Sequence, residues 1–208
     1  MTAVTGQQHY FSDEPVSSAE TRPLQVRLRG AEVTVEVARG VFAADRLDVG
    51  TRVLLDAVDD PPQAGTLVDL GCGWGPVTLA MAQAAPSAFV VAVDVNPRAR
   101  ELTARNAAAL GLDNVTVLAP QDALAHLDET APGGVDEIWS NPPIRIGKGP
   151  LHELLSQWLG RLAPSGRAEL VVQRNLGADS LHRWLQSEGY AVERLASSKG
   201  YRVLTVRR

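Results

Sequence analysis

The sequence predicts an α/β fold, with a mostly parallel sheet, an antiparallel C-terminal edge and a small β extension in front. Three observations predict it. Short apolar runs alternate with helix-length runs from residue 66 onward. The first of these apolar runs ends in glycines at alternate positions, Gly71, Gly73 and Gly75. The last two strand-like runs follow one another with no helix-length segment between them.

Each element has its own justification. Residues 7–23 read as an irregular lead-in. Leu24–Arg29 and Glu32–Val37 alternate apolar and polar residues on either side of Gly30-Ala31, the pattern of a hairpin. A helix is predicted over Gly50–Val58, ending before Pro61-Pro62. Strands are predicted at Thr66–Leu70, Phe89–Asp94, Val115–Leu118, Glu137–Ser140 and Ala168–Gln173. Asn96 and Pro97 supply an N-cap and a first-turn proline for the helix after the second of these, and Gly111 ends it. Pro150 is expected to open a helix whose apolar stripe is Leu151, Leu154, Leu155, Trp158, Leu159 and Leu162. Another is expected over Gly177–Glu188, with Leu181, Trp184 and Leu185 inward. Strands at Tyr190–Leu195 and Arg202–Val206 close the chain.

The glycine loop, Val68-Asp69-Leu70-Gly71-Cys72-Gly73-Trp74-Gly75-Pro76, separates a strand from a helix. A dinucleotide fingerprint would place its third glycine at 76, where this chain has Pro76, so that reading is weakened. Asp94 ends the next strand about twenty residues on, the offset at which a carboxylate can accept hydrogen bonds from ribose hydroxyls. The first half is therefore expected to bind a nucleoside-bearing cofactor.

The second constellation is Asn141-Pro142-Pro143-Ile144, at the end of the predicted fourth strand and so on the ligand-binding rim of an open sheet. Asn141 offers a side-chain carbonyl, Pro142 is expected to leave its backbone carbonyl free, and neither proline has an N–H. Proline also holds the residue before it extended. Such a rigid set of acceptors suits an –NH2 group, although by itself it is equally a proline-stiffened loop.

Together these residues resemble the class I S-adenosylmethionine-dependent methyltransferases. A finer resemblance is to the family of the small-subunit (16S) ribosomal RNA guanine-N2 methyltransferase C. It rests on Val41–Thr51, on Asn141-Pro142-Pro143-Ile144-Arg145-Ile146-Gly147-Lys148, and on Lys199-Gly200-Tyr201-Arg202, and it runs from His9 onward. The resemblance implies a Rossmann-like sheet and S-adenosylmethionine as cofactor. It implies cofactor contacts from Asp69, Gly71, Cys72, Gly73, Gly75, Asp94, Val95, Asp122, Ala123, Phe42, Asp48, Thr51 and Asn141, and a catalytic role for Asn141, Pro142, Pro143 and Ile144. The residues themselves leave alternatives open: Asp122 as a helix N-cap, Asp48 and Thr51 as caps, Phe42 as core. Many amino methyltransferases carry an aromatic where this chain has Ile144, which argues against protein-glutamine and DNA-adenine substrates. Trp74 and Trp139 stand close by in sequence.

Composition narrows the class further. The 208 residues suit one domain, divided as an N-terminal hairpin extension (1–50) and a Rossmann-like core (51–208). No apolar stretch reaches membrane-span length and the first fifteen residues lack a signal-peptide core, so a cytoplasmic protein is expected. The lone Cys72 is read as a small loop residue, and one cysteine with four histidines leaves no zinc pattern. The net charge of −4 is unevenly spread: residues 53–140 carry 3 Lys/Arg against 12 Asp/Glu, and residues 141–208 carry 11 against 5. A basic final third beside the catalytic loop suits an anionic polymer, and Arg145, Lys148, Arg174 and Lys199 are the candidate RNA contacts. The alternative is an ordinary solvated basic face.

The expected reaction is methyl transfer to an exocyclic amine, foremost guanine N2 of 16S ribosomal RNA. A second reading keeps the reaction but takes another RNA base, a protein amide or a small amine. A third is a catalytically silent RNA-binding or assembly module, against which the intact Asn141-Pro142-Pro143 argues. The partner is RNA, with no membrane or metal, and the protein is expected as a monomer or homodimer.

Overall fold

Strand β1 (Thr21–Leu28) turns into β2 (Ala31–Ala38) through Arg29-Gly30, both at positive φ, as a two-residue hairpin turn demands. The computed structural model describes residues 20–208, and within these the chain begins directly in β1. Residues 21–23 of the expected irregular lead-in are thus strand, and residues 7–19 lie outside the described residues. Glycine would fit the first turn position better than arginine, but Arg29 has work elsewhere. Its guanidinium donates to the carbonyls of Leu55 (3.0 Å) and Val58 (2.8 Å), pairs with Asp60, and lies 5.7 Å from the centre of the Trp139 ring. It thereby satisfies the last carbonyls of helix α1 (Val49–Ala57), which has no basic residue of its own in its last turn.

The other edge of the hairpin is held by Asn106 on α3 (Pro97–Ala109). Its amide accepts from the Glu36 N–H (2.7 Å) and donates to the Glu36 and Trp74 carbonyls (both 2.9 Å). A buried side chain here completes backbone pairing that an edge strand would otherwise leave open.

The main sheet has seven strands in the order β5-β4-β3-β6-β7-β9-β8. Strands β3 (Thr66–Leu70), β4 (Phe89–Val93), β5 (Val115–Leu118), β6 (Val135–Ser140) and β7 (Leu162–Gln173) run parallel. Strand β9 (Tyr201–Arg207) lies antiparallel to β7, and β8 (Ala191–Ser198) antiparallel to β9. The expected antiparallel C-terminal edge is present. Helices α1, α2 (Pro76–Ala84) and α3 cover one face together with the hairpin. Helices α4 (Pro120–Thr130), α5 (Lys148–Leu159) and α6 (Ala178–Ser187) cover the other. Successive residues of the central strands face opposite cores, as Leu67 and Val68, Val90 and Val91, and Val171 and Val172 do.

Three expectations need correction. Leu162 is not part of the α5 stripe: the helix stops at Gly160, and Leu162 opens β7 opposite Val135. The irregular register that follows, around Pro164-Ser165-Gly166, hides this strand start from a periodicity argument. Helix α5 begins at Lys148, two residues before Pro150, after a single 3-10 turn at Ile144–Ile146. Asp122 is not an N-cap, because Ala119 caps α4 and Asp122 sits in the first turn, where its charge favours the helix dipole.

Candidate active site

The carboxyl ends of β3, β4 and β6 are tied together by short hydrogen bonds. Gly71 and Cys72 donate their N–H groups to the Val93 carbonyl (2.8 and 2.9 Å). The Ser140 hydroxyl donates to the Leu70 carbonyl (2.6 Å), fixing the Asn141 loop beside the glycine loop. Gly75, at φ 99°, turns the chain into α2, and a side chain there would press on Thr103 at 3.2 Å. The Thr103 hydroxyl donates to the Gly73 carbonyl (3.0 Å).

Phe42, Asp48, Thr51, Gly71, Gly73 and Asn141 line one pocket on this rim. A larger groove lies on the hairpin strands, lined by Gln25, Val26, Arg27, Glu32, Val33 and Thr34, away from these elements and with no comparable chemistry. Within its lining, Asn141 Nδ2 donates to Asp48 Oδ2 (2.9 Å) and to Thr51 Oγ1 (3.1 Å). Asp48 Oδ2 also accepts from the Thr51 N–H (3.0 Å) and so caps α1. Because a carboxylate only accepts, the Asn141 amide must present nitrogen to Asp48, which leaves Oδ1 as its outward acceptor. Asp48 is thus both the N-cap of α1 and a partner of Asn141, whereas Thr51 is the capped residue and meets Asn141 through its hydroxyl.

The Pro142 carbonyl is not free as the sequence suggested. It accepts from the Ile144 N–H (2.8 Å), with Pro143 at φ −75° and ψ 73°, an inverse γ-turn. One lone pair remains on that oxygen. Pro142 is buried, Pro143 exposed, and Ile144 packs half-buried toward the core that α5 covers.

Asp94 is half-buried at the end of β4. Its Oδ2 accepts from the Gly73 N–H (2.9 Å) and its Oδ1 from the Asn96 N–H (2.8 Å). Each oxygen keeps capacity for a further donor such as a ribose hydroxyl. Val95 beside it is 79% exposed, and Asp122 is exposed on α4. Asp69 and Ala123 sit differently from what the resemblance implied. Asp69 is buried and accepts from the Thr78 N–H (2.8 Å) and hydroxyl (2.5 Å), so it anchors α2 behind the loop. Burial pushes its carboxyl up to about 7, with the Thr78 hydrogen bonds opposing and the Asp94 charge adding. Ala123 is fully buried and its N–H bonds the Ala119 carbonyl, so it offers the pocket neither atom. Cys72 is also buried, and burial raises its thiol well above the ordinary value, which excludes a reactive thiolate.

The four candidate substrate-binding cations all sit on exposed positions of this end of the sheet. Arg145 lies in the 3-10 turn, Lys148 starts α5, Arg174 follows β7, and Lys199 is at the β8–β9 turn. The Arg174 N–H donates to the Gly200 carbonyl (2.8 Å), which joins two of these segments. None of the four forms an ion pair among the described residues, whereas Arg194 and Arg202 are both paired with Asp179. Tyr201, half-buried at the start of β9, belongs to the Lys199–Arg202 stretch that carries the resemblance but was given no place in the site. Trp74 and Trp139 are both fully buried.

A mostly parallel sheet of this order with an antiparallel C-terminal edge, a glycine loop after β3 and an acid after β4 defines the class I S-adenosylmethionine-dependent methyltransferases. The chain belongs to the methyltransferase small domain family, whose model matches residues 32–205. It is 31% identical over 201 residues to the uncharacterized protein YbxB of Bacillus subtilis, covering 97% of this chain and 98% of that one. It is likewise 31% identical over 199 residues to the ribosomal RNA small subunit methyltransferase C of Pseudomonas paraeruginosa, covering 94% of this chain and 57% of the relative. Among solved structures, a T. thermophilus 16S rRNA N2 methyltransferase (RsmC) in complex with AdoMet and guanosine superposes with a TM-score of 0.77. That match has 27% identity and covers 93% of this chain and 52% of the other. The chain therefore spans little more than half of the two ribosomal RNA methyltransferases it resembles. Among the described residues no helix is long and apolar enough to cross a membrane.

Proposed function

We propose that this protein methylates the exocyclic amine of a guanine, N2, in small-subunit ribosomal RNA. The observation that carries the reading is the fixed Asn141 amide: Asp48 and Thr51 take its N–H groups, so its carbonyl oxygen is held ready for an N–H of the incoming amine. Support for the substrate class comes from the resemblance to enzymes named for ribosomal RNA and from the four unpaired cations around the same rim.

The residues present fit the cofactor. Gly71 and Gly73 leave open space where a Cβ would stand, and Asp94 holds two oxygens beside Gly73. We assign Gly71, Gly73, Asp94 and the exposed Val95 and Asp122 to holding it, with Phe42 at the pocket mouth. Bound there, S-adenosylmethionine supplies a methyl group already activated on a sulfonium. The chain's part is orientation and preorganised dipoles. Asn141 Oδ1 and the remaining lone pair of the Pro142 carbonyl accept the two amine N–H groups. This draws the nitrogen lone pair out of conjugation and aims it. After transfer the nitrogen is strongly acidic, so its proton leaves to water and no titrating base is needed. Arg145, Lys148, Arg174 and Lys199 hold phosphates.

The test is incubation of the protein with methyl-labelled cofactor and total RNA, naked small subunits, or protein extract. Label in N2-methylguanosine of 16S RNA is the expected result, while label confined to protein or small molecules overturns the reading. Asn141→Ala is expected to keep cofactor affinity and lose about 100-fold or more in kcat.

A further inference from the structure

A flat base needs a flat wall, and three of the side chains near the Asn141 loop cannot supply it. Ile144 is aliphatic and packed toward the α5 core, and Trp74 and Trp139 are sealed inside. Tyr201 is placed otherwise. It is the first residue of β9, opposite Gln173 at the end of β7, and β7 runs beside β6, whose end carries Asn141. One edge of its ring packs against the helix that Asp48 caps: a Cβ on Gly50 would meet Tyr201 Cε1 at 2.8 Å and Asp48 Oδ2 at 3.0 Å. The oxygen that orients Asn141 and the tyrosine ring therefore approach the same point. Burial and the Asp48 charge raise the phenol, and the Arg145 charge opposes them. Among the described residues its hydroxyl makes no hydrogen bond, and the side chain is only half-buried.

We infer that Tyr201 is the wall against which the target base lies, a positioning residue that holds a planar, amine-bearing ring in reach of Asn141 Oδ1. The inference rests on the amine-methylation reading and adds the means of holding the base, the part that an aromatic at position 144 would otherwise play. It also gives Gly50 a reason: any side chain there would push the ring away from the rim. The turn before it points the same way. Lys199 takes φ +50°, where glycine or asparagine is at ease, yet makes no hydrogen bond or ion pair among the described residues that would repay the strain, unlike Arg29 in the matching turn. A cation at the tip and an aromatic at the base of one hairpin suit a phosphate and its own nucleobase.

The experiment compares wild type, Tyr201→Ala, Tyr201→Phe and Phe42→Ala, in two assays: guanosine binding to the protein loaded with S-adenosylhomocysteine, and methylation kinetics on unmodified 16S RNA. Tyr201→Ala is expected to weaken guanosine binding and raise KM for RNA about ten-fold or more, with cofactor affinity and Tm near wild type. Tyr201→Phe should recover to within a few-fold, because the ring rather than the hydroxyl does the stacking. Wild-type KM in Tyr201→Ala overturns the assignment while leaving the amine-methylation reading intact. So does an equal loss in Tyr201→Phe, or a KM effect confined to Phe42→Ala. Wild type that binds cofactor yet neither binds guanosine nor methylates RNA overturns both.

Discussion

Asp48 and Asn141, 93 residues apart in sequence, meet through one hydrogen bond of 2.9 Å that gives the Asn141 amide its direction. The same Asp48 oxygen caps α1, so the first turn of that helix and the loop after β6 are built as one unit. Asp48→Ala tests the relationship. It removes the oxygen that accepts from both the Thr51 N–H and Asn141 Nδ2. Asn141 is then held through the Thr51 hydroxyl alone, which can donate as well as accept, so the amide is free to flip and present N–H to an amine that needs an acceptor. Asp48→Ala is expected to retain cofactor affinity within a few-fold and to lower kcat about 100-fold. Turnover within three-fold of wild type would show that Asn141 keeps its orientation by other means.

Stability should fall as pH rises from mildly acidic to neutral, and Glu169 is one cause. Burial pushes its carboxyl up to about 7, while the Thr205 hydroxyl at 2.8 Å and the Arg167 charge oppose that. The unfolded chain loses this proton near its ordinary value of 4.5, whereas the folded protein keeps it to about 7. Between those values the native state binds the extra proton, so stability declines with pH across that window and levels off above it. Asp69, also raised to about 7, acts in the same sense. Glu169→Gln should flatten, without abolishing, the fall in Tm between about pH 5 and pH 8. A slope identical to wild type would remove Glu169 from the account.

Arg29 links the hairpin to the core through the end of α1, so its loss should be felt in global stability. Arg29→Ala removes two charge-assisted hydrogen bonds to helix-end carbonyls and leaves the Leu55 and Val58 oxygens without that donor. The cost should be about 2 kcal/mol, with no relief of the φ of +46°, because alanine keeps the Cβ that makes this conformation unfavourable. For a chain of this size that is about 4–8 °C in Tm. A change under 1 °C would mean that water replaces the guanidinium without penalty.

Most of the sheet was legible because its strands are short, apolar and bounded by glycine or proline. Thr66–Leu70 and Val115–Leu118 have the boundaries that pattern alone indicated, and Asn96-Pro97 caps α3 as its residue types require. Leu162 escaped because β7 begins with an irregular stretch that breaks the period of two. The neighbourhood of the site was less legible. The use of the Pro142 carbonyl by Ile144 depends on the ψ of Pro143, which no residue type fixes. The approach of Tyr201 to Gly50 depends on β9 lying beside β7, a long-range pairing with no local signal. Asp69 and Ala123 lie on motif positions and yet face inward, because motif spacing records which residues shape a loop as well as which touch its ligand.

If Arg145, Lys148, Arg174 and Lys199 each neutralise a phosphate, RNA affinity should weaken with salt at a slope of about −3 in log K against log salt concentration. Each single change to alanine should reduce the magnitude of that slope by about 0.7. A residue whose alanine variant leaves the slope untouched is solvated rather than bound to phosphate. Methylation of free guanosine should be insensitive to all four changes, which separates phosphate contacts from effects on the pocket.

Gly50→Ala sets two effects of opposite sign against each other. Alanine gains up to about 1 kcal/mol over glycine within a helix, less in the first turn. The new methyl would stand 2.8 Å from Tyr201 Cε1 and 3.0 Å from Asp48 Oδ2, so something must move. Overpacking of this kind costs about 1–3 kcal/mol when backbone resists, and less when a side chain swings aside. Tyr201 is half-buried at the start of an antiparallel strand, so its ring has solvent to move into. The relief should therefore come from the ring, leaving Tm within a few degrees of wild type while KM for RNA rises as it does in Tyr201→Ala. The double variant Gly50→Ala with Tyr201→Ala should then have a KM no worse than Tyr201→Ala alone, since the ring, the nearer of the two clashes, would be gone. A loss of kcat in Gly50→Ala that persists in the double variant would show that Gly50 acts through Asp48 and Asn141 instead.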